Sequence, residues 1–186
     1  MIAGQYRSRP LRSLPGQKTR PTADRLRETL FNVLTAGNPE ALESSIWADL
    51  YAGTGAVGIE ALSRGAGKVY FVESSAAAAR LIQTNLSSLQ VHGGFDVMQV
   101  ETSKGLRRLE MHGTVLDYVF LDPPYNQEEE YAATLGFLSK SSVLRVTAVV
   151  IAEHGKKFDP GENFEGMKRF RTLVQGDAGL SFYRRA

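Results

Sequence analysis

The chain has 186 residues, 42% hydrophobic and 23% charged, a balance that suits one globular domain with a substantial core. It has no cysteine, which excludes a disulfide scaffold, a cysteine-based zinc site and a thiol nucleophile. No apolar run approaches the ~20 residues needed to span a bilayer, and the basic N-terminus lacks the apolar stretch of a signal peptide. A cytoplasmic protein with no membrane partner is therefore expected. The net charge of +2 is unevenly spread, because residues 1–27 hold seven Lys/Arg and one acid while residues 28–155 hold eight basic and fifteen acidic residues. Such a segment fits either a polyanion docked at one edge or a solvated arm.

Residues 1–20 read as an irregular basic extension, with Pro10, Pro15 and Gly16 as turn signals. Pro21-Thr22 opens a helix, with Thr22 as its N-cap and Asp24 in its first turn. Leu26, Leu30, Val33 and Leu34 give it one apolar face, and Gly37 and Pro39 end it. Strands then alternate with helices: strand 46–50, helix 56–64, strand 68–72, helix 76–89, strand 95–100, helix 103–110, strand 116–121, helix 128–138 and strand 146–152. This alternation predicts parallel strands joined by right-handed crossovers, with helices on both faces. Residues 168–175 and 180–184 flank Gly176-Asp177-Ala178-Gly179, a hairpin signal. The whole chain reads as a single α/β domain finished by an antiparallel pair.

The first chemical feature is Asp49-Leu50-Tyr51-Ala52-Gly53-Thr54-Gly55-Ala56-Val57-Gly58, between a strand and a helix. Gly53 and Gly55 permit a tight turn with bare backbone against a ligand, and Gly58 permits close helix–strand packing. Glu73 ends the next strand, where a carboxylate can accept hydrogen bonds from ribose hydroxyls. The glycines alone fit a nicotinamide cofactor equally well. Asp49, at the end of the first strand, would repel a pyrophosphate and favour a cofactor with an ammonium and a sulfonium. The pattern is similar to motif I of S-adenosylmethionine methyltransferases. Ala52, Gly53, Gly55, Ser74, Glu101 and Thr102 join Asp49 and Glu73 as the expected cofactor-binding residues.

The second feature is Asp122-Pro123-Pro124-Tyr125, directly after the fourth strand. Ligands of open α/β sheets bind at the carboxyl ends of strands, which places this loop beside the glycine loop. An exocyclic base amine is a poor nucleophile because its lone pair is delocalised into the ring. Asp122 and the Pro123 carbonyl can accept its two N–H bonds and turn the lone pair toward a methyl group. The two prolines fix φ and remove competing donors, and Tyr125 can stack on the base. Alignment supplies most of the catalysis. The catalytic residues expected are Asp122, Pro123 and Tyr125. A rigid Pro-Pro turn with a packed tyrosine is the plainer reading.

Together with the opening segment, these motifs resemble the RsmD family, bacterial 16S ribosomal RNA methyltransferases that modify the 2-amino group of guanine. The resemblance is carried by Ile2-Ala3-Gly4-Gln5-Tyr6-Arg7, by Thr19-Arg20-Pro21-Thr22 with Arg25, Arg27, Glu28, Leu30, Phe31 and Asn32, and by Asp49 through Ala66. It continues through Phe71-Val72-Glu73, Phe120 to Tyr125 and Leu180 to Arg184, so it spans nearly the whole chain. It implies a Rossmann-like, seven-stranded, mostly parallel sheet with an antiparallel C-terminal hairpin. It also implies S-adenosylmethionine as cofactor, guanine as target base, and ribosomal RNA within an assembling small subunit as partner. Tyr51 stands where the family has Phe, and Ser74-Ser75 where it has a charged pair.

Arg7, Arg9, Arg12, Arg20 and Arg25, with Pro124, are the expected RNA-binding residues. A DNA amino-methyltransferase acting on adenine or cytosine shares the loop chemistry, but the short chain leaves no room for a target-recognition domain. A nicotinamide oxidoreductase and an RNA-binding assembly factor without catalysis stay open as well. His92, His112 and His154 are scattered, so no metal site is expected. Trp47 reads as core.

Overall fold

The computed structural model describes residues 1–13, 21–124 and 126–186, with the backbone alone at 21–23. Its helices are α1 (Pro21–Leu34), α2 (Ala56–Ser63), α3 (Ala76–Ser88), α4 (Thr102–Met111) and α5 (Glu129–Lys140). Its strands are β1 (Ile46–Leu50), β2 (Lys68–Val72), β3 (Phe95–Met98), β4 (Leu116–Leu121), β5 (Leu144–Gly155), β6 (Asn163–Phe164), β7 (Met167–Gln175) and β8 (Ala178–Arg185). They form one sheet in the order β3-β2-β1-β4-β5-β8-β7-β6. The first five positions pair in parallel, and β8, β7 and β6 add on antiparallel.

Two expectations need correction. The sheet has eight strands rather than seven, because Asn163–Phe164 pairs with Met167 and Lys168 as a two-residue edge strand. A segment that short has too few residues to show the period-two pattern of a strand. The fifth strand also runs from Leu144 to Gly155 instead of 146–152, so Glu153 and His154 belong to it. Pairing with β8 extends it, since Glu153 lies opposite Leu180 and Gly155 opposite Ala178.

Strand alternation divides the core into two layers. Trp47, Phe71, Phe120 and Ile151 face α1, α2 and α3, where they meet Leu26, Leu30, Ile59, Ile82 and Leu86. Ala48, Val72, Leu121 and Ala152 face α4 and α5, against Leu106, Leu109, Tyr131, Leu135 and Leu138. Trp47 is fully buried and stacks between Phe31 and Tyr118, with centroids 5.6 and 4.6 Å away, and its Nε1 donates to Ser45 Oγ.

Residues 1–13 are irregular, as expected, but they are docked. The buried Glu60 carboxylate of α2 accepts from Ile2 N and Ala3 N, each at 2.9 Å, and from Arg64 Nε at 2.8 Å. Ser63 accepts from Gln5 N and Tyr6 N through its carbonyl and hydroxyl. Asn85 of α3, fully buried, accepts from Arg12 N and donates to the carbonyls of Arg12 and Thr54. One side chain thus ties the opening segment to the glycine loop.

Glu60→Ala removes the acceptor of three hydrogen bonds inside the protein. Urea unfolding should show a loss of about 3 kcal/mol, with faster proteolysis within residues 1–13. An unchanged midpoint would mean the segment is not held through Glu60.

Candidate active site

The strand order places β1 beside β4, yet the chain runs outward in opposite directions from this pair, to β2 and β3 on one side and to β5 on the other. A crevice opens at the carboxyl ends of the strands at such a switch point. Four acids gather there: Asp49 in β1, Glu73 just after β2, Asp122 just after β4, and Glu153 in β5. Each lies two residues beyond a residue facing α1–α3, so alternation turns all four toward that layer.

The glycine loop has the conformation its sequence requires. Gly53 and Gly55 have φ of 55° and 75°, a region that L side chains rarely occupy. The nearest atom to a Cβ built on Gly53 is Tyr51 O at 3.9 Å, so the backbone is open on that side. At Gly58 an added Cβ would lie 2.4 Å from Phe71 Cε1, which is why α2 can pack directly on β2. Tyr51 also has positive φ, 56°, and its hydroxyl donates to Glu130 Oε2 at 2.7 Å and shares a hydrogen bond with Thr134 at 3.0 Å. Phenylalanine could make neither contact.

Asp49 does more than the sequence suggested. Its Oδ2 accepts from Gly58 N at 2.8 Å, capping an otherwise free N–H in the first turn of α2. The residue at the helix N-cap position, Gly55, has no side chain to do this. Only 2% of Asp49 is exposed, and burial pushes its carboxyl up to about 8, aided by the charges of Asp122 and Glu73 and opposed by the Gly58 hydrogen bond. Glu73 is fixed by two donors, Gly53 N to Oε2 and Ser75 N to Oε1, both at 2.8 Å. Each oxygen keeps a lone pair for a ligand.

Asp122 is half-buried, and desolvation raises its carboxyl far above the usual carboxylate range. Pro123 is buried beside it and Pro124 is exposed. Tyr125 and Arg20 lie outside the described residues, as does the side chain of Thr22. Ala52 is buried, and its N–H donates to Val72 O, joining the loop to β2. Ser74 is exposed. Glu101 points outward and pairs with Lys104 at 2.9 Å, whereas Thr102 is buried. Arg7, Arg12 and Arg25 are exposed. Arg9 is exposed as well, and its guanidinium donates to Ser88 O at 2.7 Å and Leu89 O at 3.2 Å, capping the carboxyl end of α3.

Sequence reasoning missed Glu153 as a neighbour of Asp122, and Arg27 as a cation near Glu153. Burial and the Asp122 charge raise Glu153, and Arg27 lowers it. Glu153 was within reach of the strand-end rule that found Asp122, since both sit at the same edge of adjacent parallel strands. Arg27 comes from α1, far away in sequence, and only folding brings it there.

Sheet order, glycine loop, the acid after β2 and the Asp-Pro-Pro turn together define a Rossmann-like methyltransferase. Proteins of similar sequence and structure agree. The profile of a family described as "Conserved hypothetical protein 95" matches residues 1–184. Ribosomal RNA small subunit methyltransferase D of Escherichia coli K12 is 36% identical over 190 residues, covering 100% of this chain and 89% of the relative. The Haemophilus influenzae protein of the same name is 33% identical, covering 84% and 78%. The solved structure "Putative methyltransferase yhhF from Escherichia coli" superposes with a TM-score of 0.81 at 31% identity, covering 100% of this chain and 96% of that one. The chain belongs to this RsmD-type family of methyltransferases.

Asp49 has a higher pKa folded than unfolded, so the folded chain binds the extra proton between about pH 4 and 8 and loses stability as pH rises through that window. Asp49→Asn keeps an acceptor for Gly58 N without the buried charge. In the ligand-free protein it should raise Tm at pH 8 by more than about 3 °C, with the gap closing toward pH 4. A variant that melts lower at pH 8 would contradict this.

Proposed function

We propose that the protein transfers a methyl group from S-adenosylmethionine to the 2-amino group of a guanine in small-subunit ribosomal RNA. The observation that carries this reading is the position of Asp122 and Pro123 at the carboxyl end of β4, across the switch point from the glycine loop of β1. The names of the relatives support ribosomal RNA as the substrate class.

The residues fit the cofactor. Gly53 leaves bare backbone, Glu73 holds two oriented oxygens for ribose hydroxyls, and the remaining oxygen of Asp49 suits an ammonium group. S-adenosylmethionine, when bound, supplies an electrophilic methyl carbon on a sulfonium. Asp122 and the Pro123 carbonyl accept the two N–H bonds of the base amine, so its lone pair is directed at that carbon. As the N–C bond forms, the amine becomes acidic, and the Asp122 carboxylate receives the proton it loses. Alignment rather than strong base catalysis provides the rate. Of the arginines expected to meet RNA, Arg7, Arg12 and Arg25 are exposed and available to phosphates, while Arg9 is exposed but also caps α3. The setting of the reaction, an assembling small subunit, would supply both RNA and protein contacts.

Purified protein with labelled cofactor should methylate guanine in small-subunit RNA or its assembly particle, as read by mass spectrometry of the digested RNA. No transfer to either at saturating cofactor would overturn the proposal. Asp122→Ala should lower kcat at least about 1,000-fold, with cofactor affinity changed by less than about 3-fold. Because Asp122 acts as the carboxylate and its pKa is raised, wild-type kcat should climb as pH rises through neutrality. A flat profile, or an active Asp122→Ala, would refute the mechanism.

Replacing Arg7 and Arg12 with Ala should weaken RNA binding and reduce the slope of log K against log salt by about 1.5. An unchanged slope would mean these side chains meet no phosphate. Arg9→Ala should lower Tm, in keeping with its place on α3.

A further inference from the structure

Glu153 belongs to the pocket edge of Asp122, and methyl transfer as derived from Asp122 and Pro123 makes no use of it. Leu121 pairs with Ala152, so Asp122 and Glu153 are the next residues on adjacent parallel strands, with backbones about 4.8 Å apart. Both side chains turn to the α1–α3 face, like Phe120 and Ile151. Leu180 of β8 flanks Glu153 on its other side, and α1 contributes Arg27. The Glu153 carbonyl accepts the Tyr131 hydroxyl at 2.7 Å, which anchors the strand from the opposite layer. Arg27 Nη2 donates to Asp24 at 2.9 Å, while its Nε is buried without a hydrogen-bond partner among the described residues. Glu153 is thus a half-buried carboxylate beside the amine acceptor, with a cation at its back and its own side chain uncommitted in hydrogen bonds among the described residues.

We propose that Glu153 selects guanine by accepting the ring N1–H next to the 2-amino group that Asp122 and Pro123 hold. Guanine alone among the amino bases carries a ring N–H beside its amine. Adenine and cytosine present a ring nitrogen lone pair at the equivalent position, which a carboxylate repels. A flipped base is read through this edge, and a site built to accept an N–H discriminates strongly against an analogue without it. The donor also offsets the cost of burying a second carboxylate next to Asp122. The inference rests on the reading of the protein as a base-amine methyltransferase and adds the residue that sets base identity.

The test uses small-subunit particles carrying guanine, 2-aminopurine or 6-thioguanine at the methylated position, once that position is mapped. 2-Aminopurine keeps the amine but has a lone pair at N1, and 6-thioguanine keeps N1–H while altering position 6. Wild-type kcat/KM should fall about 100-fold on 2-aminopurine and less than about 10-fold on 6-thioguanine. Glu153→Gln, whose amide can donate to N1, should shift the guanine to 2-aminopurine ratio at least about 10-fold toward 2-aminopurine. Equal wild-type rates on guanine and 2-aminopurine, or an unchanged ratio in a folded Glu153→Gln, would overturn the inference alone. Absence of transfer to the guanine particle would overturn the proposed function with it. The wild-type comparison needs no variant, so a Glu153→Gln that fails to fold leaves a decisive measurement.

Discussion

Carboxyl groups held out of water at one edge of the sheet are the constraint that orders this structure. Asp49, Asp122 and Glu153 are all raised by burial, and the charges reinforce one another across β1, β4 and β5. Desolvated carboxylates are costly unless donors or cations meet them. The protein supplies only part of that compensation: Gly58 N for Asp49 and Arg27 near Glu153. A cationic cofactor and a donor-rich base edge are the chemical complements of what is left.

The neighbouring helices are organised by the same edge. Asp49 both faces the crevice and caps α2, while Glu60, within that helix, fastens the opening residues. Asn85 then links those residues to the Thr54 carbonyl of the glycine loop. Residues 1–13 and the glycine loop therefore share supports.

Much of this could be read in the sequence. The alternation of strands and helices and the placement of glycines around Gly53, Gly55 and Gly58 follow from local rules that leave visible patterns. Asp122-Pro123 stood out because it is a contiguous motif directly after a strand. What escaped the sequence depends on distant segments. The α2 cap made by Asp49 requires residue 58 to come back over the end of β1. Arg9 also caps α3, which the sequence does not show, because the carbonyls it meets are some eighty residues away. Glu153 directly follows the predicted strand 146–152, and its place beside Asp122 appears only once β4 and β5 are aligned.

The two-residue β6 closes the far end of the sheet. A long, flat edge strand would offer unpaired N–H and C=O groups to another chain. Here the last strand pairs at only Asn163 and Phe164, with exposed Glu162 and Glu165 on either side. The opposite edge, β3, has four residues and carries exposed Asp96, paired with Lys68. β6 covers β7 only at Met167 and Lys168, so residues 170–175 of β7 have no strand partner on that side among the described residues, and exposed Phe170 and Val174 lie along that margin.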